Sequence, residues 1–200
     1  MKPLVVIKLG GAQARGGRLG DWLDAISVHA GRLVVVPGGG PFADVVRATQ
    51  KQIGFDDVAA HEMAMIAMSQ FGRALASLRP GFELADSEAA LRDALRRGRT
   101  PIWSPERMAL AAGLKASWDL TSDSLAVWLA GWLEAERLIL VKHGAPGSAA
   151  KLVLGGVVDP LFPAYLAKTG VRAFLASPDS AGRLAEGLDG AAFSAIGLDA

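Results

Sequence analysis

Leu33-Val34-Val35-Val36-Pro37-Gly38-Gly39-Gly40-Pro41-Phe42-Ala43 is the stretch whose reading decides the fold. A strand-sized apolar run, mostly β-branched, is followed at once by three glycines. Pro41 then opens a helical pattern that continues to Ile53. Proline is tolerated in the first turn of a helix, where its missing N–H would have no intrahelical partner. The stretch therefore reads as strand, bare-backbone turn, helix. Such a junction favours anions, through unpaired N–H groups and the helix dipole. A similar junction lies upstream, where Leu4–Leu9 reads as a buried strand that includes Lys8 and ends in Gly10-Gly11.

Outward from these two junctions, short β-rich runs alternate with longer helical ones. Further strands are expected over Phe82–Ala85, Pro101–Trp103, Leu138–Lys142, Val171–Ala176 and Ala192–Ile196. Helices are expected over Leu19–Ala30, Pro41–Ile53, Asp57–Leu78, Ser87–Arg97 with Ser87 as cap, Thr121–Ala135, Leu161–Lys168 and Ser180–Leu188. The stripe Met65, Met68, Gly72, Leu75 follows the helical period of about 3.6 residues. This alternation predicts an α/β fold, a mainly parallel sheet covered on both faces in a three-layer αβα sandwich. Residues 1–200 are expected to form a single domain. In such sheets ligands bind beyond the carboxyl ends of the strands, which is where both glycine clusters fall. Ala145–Ala150, with Pro146, Gly147 and Ser148 together, is the best candidate for a mobile loop.

Composition removes several classes of function. Hydrophobic residues make up 51% of the 200, enough for a substantial core. No apolar run is long enough to span a bilayer. Met1-Lys2-Pro3 leads straight into a charged strand and lacks the apolar core of a secretory signal. There is no cysteine, so disulfides, thiolate metal sites and cysteine nucleophiles are excluded. Formal charge is +1, and the densest basic cluster, Arg92, Arg96, Arg97 and Arg99, reads as a solvated helix face rather than a nucleic-acid footprint. The three histidines are scattered and make no zinc constellation. His29 is expected at the surface; His61 has either a structural role or a place on a substrate pocket. Gly38–Ala43 satisfies the dinucleotide fingerprint G-x-G-x-x-A, but it follows the second strand and lacks the acidic residue that pattern needs. No Walker A segment exists. A cytoplasmic protein with no nucleic-acid or membrane partner is expected.

Four segments carry chemistry. Lys8, in a buried strand, needs a partner, because an unpaired buried charge costs several kcal/mol. That partner is a bound phosphate or an internal carboxylate. Gly38, Gly39 and Gly40 offer backbone donors at a helix N-terminus. Asp119, Thr121, Ser122 and Asp123 precede an apolar helix, as capping requires. Two aspartates and several hydroxyls exceed what one cap needs, and the surplus suits a site that orients lysines or Mg²⁺. Lys142-His143-Gly144, at a strand exit, is either solvated or within reach of a nucleotide phosphate.

Taken in order, Lys8-Leu9-Gly10-Gly11, then Val36-Pro37-Gly38-Gly39-Gly40-Pro41, then Ser122-Asp123, resemble the amino acid kinase family. The closer resemblance is to its short archaeal-type members of methanofuran biosynthesis. It rests on chain length, on His61-Glu62-Met63-Ala64-Met65-Ile66-Ala67-Met68 and on Ser117-Trp118-Asp119-Leu120-Thr121-Ser122-Asp123-Ser124-Leu125-Ala126. The resemblance implies an ATP-dependent phosphotransferase, using ATP and Mg²⁺ on a small phosphomonoester in C1-carrier biosynthesis. It implies that Lys8 holds the transferred phosphoryl group and that Asp123 orients the lysines. It places Gly10, Gly11, Lys142, His143 and Gly144 on the nucleotide side. It places Gly38, Gly39, Gly40, His61, Asp119, Thr121 and Ser122 on the acceptor side. It also implies a homodimer or a higher homo-oligomer.

Two departures stand out. Lys142-His143-Gly144-Ala145-Pro146-Gly147 replaces a Thr-Asp-x-Asp-Gly type segment. Gly155-Gly156-Val157-Val158-Asp159-Pro160 lacks the family's second phosphate-binding lysine, leaving Lys142 or Lys151 as its substitute. Two alternatives stay open: a kinase for another small acid or nucleoside monophosphate, and a catalytically degenerate subunit that binds nucleotide without turnover.

Overall fold

The computed structural model describes residues 3–11, 17–188 and 192–198. Strands β1 (Val5–Leu9), β2 (Leu33–Pro37), β3 (Phe82–Ala85), β4 (Thr100–Trp103), β5 (Arg137–Val141), β6 (Arg172–Ala176) and β7 (Ser194–Ile196) form one sheet in the order β3-β4-β2-β1-β5-β6-β7. Every neighbouring pair is parallel except β6 and β7. The helices are α1 (Leu19–Ser27), α2 (Gly40–Ile53), α3 (Asp57–Ser77), α4 (Glu88–Arg96), α5 (Glu106–Ala111), α6 (Ser122–Trp132), α7 (Ala149–Leu154), α8 (Phe162–Thr169) and α9 (Ala181–Glu186).

The central strands read as unbroken apolar runs because both sheet faces are buried. Strand alternation sends Val6, Val34, Val36, Leu138 and Leu140 to one face, where they pack with Leu125, Ala126 and Leu129 of α6. Val5, Ile7, Leu9, Val35 and Ile139 face the other way, onto Trp22, Leu23 and Ile26 of α1 and Leu75 of α3. The result is the expected three-layer αβα arrangement. Chain order reverses at β1, whose neighbours are β2 on one side and β5 on the other. This is the switch point at which open α/β sheets bind ligands. Lys8 shares the α6 face of β1 with Val6, one strand position before the β1 exit.

Some boundaries differ from expectation. The helix expected to reach Ala135 stops at Trp132, because Glu134 adopts φ 54° and cannot continue it. Helices α5 and α7, six residues each, were not anticipated. The last two residues of the expected mobile loop, Ala149 and Ala150, form the first turn of α7. His29 is buried rather than at the surface, with Nε2 2.5 Å from the carbonyl oxygen of Leu184. The basic cluster is neutralised within the fold: Arg92 pairs with Glu88, Arg96 and Arg97 with Asp93, and Arg97 and Arg99 with Glu83. Among the described residues no helix is long and apolar enough to cross a membrane.

Candidate active site

The site begins with Lys8, which is 4% exposed and sits in a strand flanked on both sides. Its ammonium lies 2.9 Å from Asp123 Oδ1. Lys142, one residue past β5, brings its ammonium to 2.5 Å from Asp123 Oδ2. It also donates to the carbonyl of Val157. Asp123, in the first turn of α6, is 3% exposed and stands between two cations. Burial pushes its carboxyl up, but Lys8 and Lys142 outweigh burial and hold it below the usual 3.8. Lys142 is depressed from 10.5, first by burial and then by the neighbouring Lys8 charge. Each oxygen of the Asp123 carboxylate thus faces one ammonium, Oδ1 that of Lys8 and Oδ2 that of Lys142. One carboxylate between two ammoniums leaves the triad with an uncompensated positive charge. Burying charge is costly unless it is paired, so the arrangement calls for an anion.

Two cavities meet at this triad. The larger, about 310 Å³, lies over the exits of β1 and β2. Gly38, Gly39 and Gly40 form one end of it, and Ala60, Ala64, Met65 and Met68 of α3 form an apolar wall. Its rim is tied together by side chains. Trp118 Nε1 donates to Gln50 Oε1 at 2.6 Å, and Gln50 Nε2 donates to Asp57 Oδ1 at 2.9 Å. The Arg47 guanidinium lies 4.2 Å from the Trp118 ring centroid, a cation–π contact. The smaller cavity, about 260 Å³, is lined by Lys8, Gly10, Gly11, Val141, Lys142, His143, Gly156 and Val157. Lys8, Gly11 and Lys142 face both cavities.

The glycines do more than expose N–H groups. The two turns pack backbone to backbone: a Cβ on Gly11 would fall 2.2 Å from the Cα of Gly40, and one on Gly38 would meet Gly11 N at 3.1 Å. The N–H of Gly38 is already used, donated to the Leu9 carbonyl at 3.0 Å. The expectation that all three glycines offer free donors is thereby corrected. What faces the larger cavity is the start of α2, a 14-residue helix with Gly39 at its N-cap and no side-chain cap. Its dipole and unpaired N–H groups favour an anion there.

The capping of α6 falls to a residue that sequence reasoning did not single out. Thr121, the N-cap of α6, makes no side-chain cap bond. The buried Asp159 does the capping, accepting from Thr121 N at 2.9 Å, Thr121 Oγ1 at 2.8 Å, Ser124 N at 3.0 Å and the Ser124 hydroxyl. Asp123 is thus left free to bind lysines. Burial raises the Asp159 carboxyl, with the Asp123 charge adding to the effect. No linear spacing connects Asp159 to α6, which it reaches across 35 residues.

The remaining sequence candidates divide. Ser122, Thr121 and His61 line the larger cavity. Burial lowers the His61 pKa, and Nε2 of its ring has no partner. Asp119 lies outside both cavities, exposed, with Lys115 at 3.7 Å, apart from the residues it was expected to join on the acceptor side. His143 is on the smaller cavity, but Gly144 is not; a Cβ there would collide with Val157 Cγ2 at 2.7 Å, so its role is to admit Val157. Lys151 is exposed on α7 and lines neither cavity, so the site's second lysine is Lys142.

The chain is similar to several known proteins. A Methanocaldococcus jannaschii protein named (5-(aminomethyl)furan-3-yl)methyl phosphate kinase is 27% identical over 141 residues, covering 68% of this chain. The match spans 63% of that relative, less than two thirds of its length. Among solved structures, the uridylate kinase of Archaeoglobus fulgidus superposes with a TM-score of 0.70 at 16% identity, covering 98% of each chain. The UMP kinase of Bacillus anthracis gives 0.70 at 17% identity, covering 99% of this chain and 97% of its own. These two likenesses show a shared fold. Residues 3–145 match the profile of the amino acid kinase family, and the chain belongs to that family.

Proposed function

We propose that this chain is an ATP-dependent phosphotransferase that moves the γ-phosphoryl group of Mg·ATP onto a small phosphomonoester. The observation that carries this reading is the position of Lys8 and Lys142, clamped by one buried carboxylate where two cavities meet. Phosphoryl transfer requires donor and acceptor roughly in line on opposite sides of the transferred group. The larger cavity takes the acceptor, its phosphate against the start of α2 and Lys8, its body against Met65 and Met68 beneath Trp118. The smaller cavity takes the ATP phosphates, against Gly10, Gly11, Lys142 and His143. An acceptor phosphate oxygen attacks the γ-phosphorus, the bond to the bridging oxygen of ADP breaks, and a diphosphate forms. Lys8 and Lys142 neutralise charge that spreads over the transferred group, the main means by which such reactions are accelerated. Asp123 orients both lysines; with each oxygen facing an ammonium, it is not the general base.

Mg²⁺ belongs to the ATP substrate. Mg²⁺ that accompanies ATP is ordinarily held by phosphate oxygens and water with one or two carboxylates. For the acceptor, the M. jannaschii relative supports an aminomethylfuran methyl phosphate or a close analogue, hence a step in making a methanofuran-like C1 carrier. The same reading takes residues 1–200 as one amino acid kinase-like domain in a cytoplasmic homodimer or higher homo-oligomer.

The first test is a thermal shift with Mg·ATP, since a ligand that binds only the native state raises Tm by mass action. A rise is expected. No rise with any nucleoside triphosphate would sink the phosphotransferase reading. Product assays with the furan phosphate, UMP and a small carboxylate then decide the acceptor.

A further inference from the structure

We propose that Asp159 is a positioning residue for phosphoryl transfer, capping α6 from outside the helix and so fixing Asp123 between Lys8 and Lys142. The inference rests on the phosphotransferase reading and extends it to a residue outside both cavities. A helix N-cap ordinarily uses its own side chain to accept N–H bonds from the first turn. In α6 that work is transferred to a carboxylate 6% exposed, which binds the residues on either side of Asp123. Thr121 and Ser124 each contribute a backbone N–H and a hydroxyl. These four bonds leave the Asp123 side chain no local duty and fix the turn that carries it.

The same short stretch also seats a lysine. Val157, two residues before Asp159, accepts from Lys142 and lines the smaller cavity. One segment therefore holds both the carboxylate-bearing turn and one of the cations it orients. Asp123, Lys142 and Tyr165 are the titratable groups that feel the Asp159 charge. Two of its bonds go to Thr121, which lines the larger cavity, while the Asp159 carboxylate itself lies outside both cavities. Its effect passes through geometry, and a displacement of about 1 Å at a reacting centre costs on the order of 10²-fold in rate.

The test compares Asp159→Ala and Asp159→Asn with the wild type, below the unfolding temperature of each. Asp159→Ala is expected to lower kcat by about 30- to 100-fold, with both KM values within about threefold. Asp159→Asn should recover most of kcat, because an amide oxygen still accepts the N–H bonds. A lowered Tm with unchanged kcat per folded molecule would reduce Asp159 to a structural cap and overturn the proposal. A rise in KM with kcat intact would also overturn it. Lysine side-chain NMR separates this proposal from the parent reading. If the wild type turns over no acceptor, the phosphotransferase reading fails. Displaced Lys8 and Lys142 signals in Asp159→Ala would still support the positioning, and unmoved signals would overturn it.

Discussion

The two cavities that share Lys8 are built on different principles. The larger is assembled mainly from two consecutive helices and the turn that precedes them, with an apolar wall and a rim tied by Trp118, Gln50 and Asp57. The residues of the smaller come from three distant segments around Gly10, Lys142 and Gly156. A local construction suits recognition of one small molecule with an apolar body. A dispersed one, rich in backbone and cations, suits a phosphate chain. The contrast teaches that the lysine-bearing strand ends are common ground, while the helical half belongs to the larger cavity alone; on the proposed reading, selectivity for the acceptor resides there.

Lys8→Ala should have the largest effect, because Lys8 faces both cavities. Turnover is expected to fall by about 10³-fold with the far-UV circular dichroism unchanged, as for loss of a transition-state charge partner. Unchanged turnover would remove the shared centre and with it the comparison. Next comes Lys142→Ala, expected to lower kcat about 10²-fold, set against Lys151→Ala, which should leave kcat as it is. Equal losses in the two variants would mean that the smaller cavity is wrongly drawn.

Gly11→Ala probes the contact between the two turns. A methyl group 2.2 Å from the Gly40 Cα must force the backbones apart. The expected cost is about 1–3 kcal/mol, read as a fall of roughly 5 °C in Tm. A stable variant with full activity would show that the turns need not touch.

The pH dependence separates the two sides further. Lys142 has its pKa lowered by burial and by Lys8, so it loses its proton below the ordinary 10.5. The alkaline limb of kcat/KM should therefore lie below 10.5, and the limb of kcat higher, because bound phosphate favours the ammonium. Lys142→Arg should abolish that limb. Asp123 works at the acid end. Its depressed pKa gives stability that is complete above about 3.8 and lost as pH falls through the folded-state value. Urea titrations of Asp123→Asn should lack that acid step.

The smallest effect is expected from Trp118→Ala, which removes a side chain that lines the larger cavity alone. The acceptor KM should rise about fivefold to tenfold with the KM for ATP unchanged. An ATP effect of the same size would erase the distinction between the halves.

Much of this was legible along the chain because its causes are local. The strand–glycine–helix junctions reveal themselves by composition, and buried strands by unbroken apolar runs, so the parallel sheet followed directly. Lys8, Gly38–Gly40 and Asp123 stood out because their residue types conflict with their surroundings: a charge in a core strand, glycines where a chain should stiffen, a surplus aspartate at a cap. His29 was misread because burial of a lone histidine depends on a helix some 150 residues away. Asp119 and Asp123 could not be told apart along the chain, because neighbouring acids look alike until the backbone turns one inward and leaves the other exposed.

The sequence by itself determined the fold class, the two glycine turns and the identity of the charged residues, because periodicity and residue chemistry act over a few positions. Only the tertiary structure decided that Lys142 rather than Lys151 joins Lys8 on Asp123. Only it decided that Asp159 does the capping, and that the glycines serve first to let two turns touch. Each of these is a distance between segments remote in sequence, fixed by how the sheet closes at β1 and by which face each residue is given.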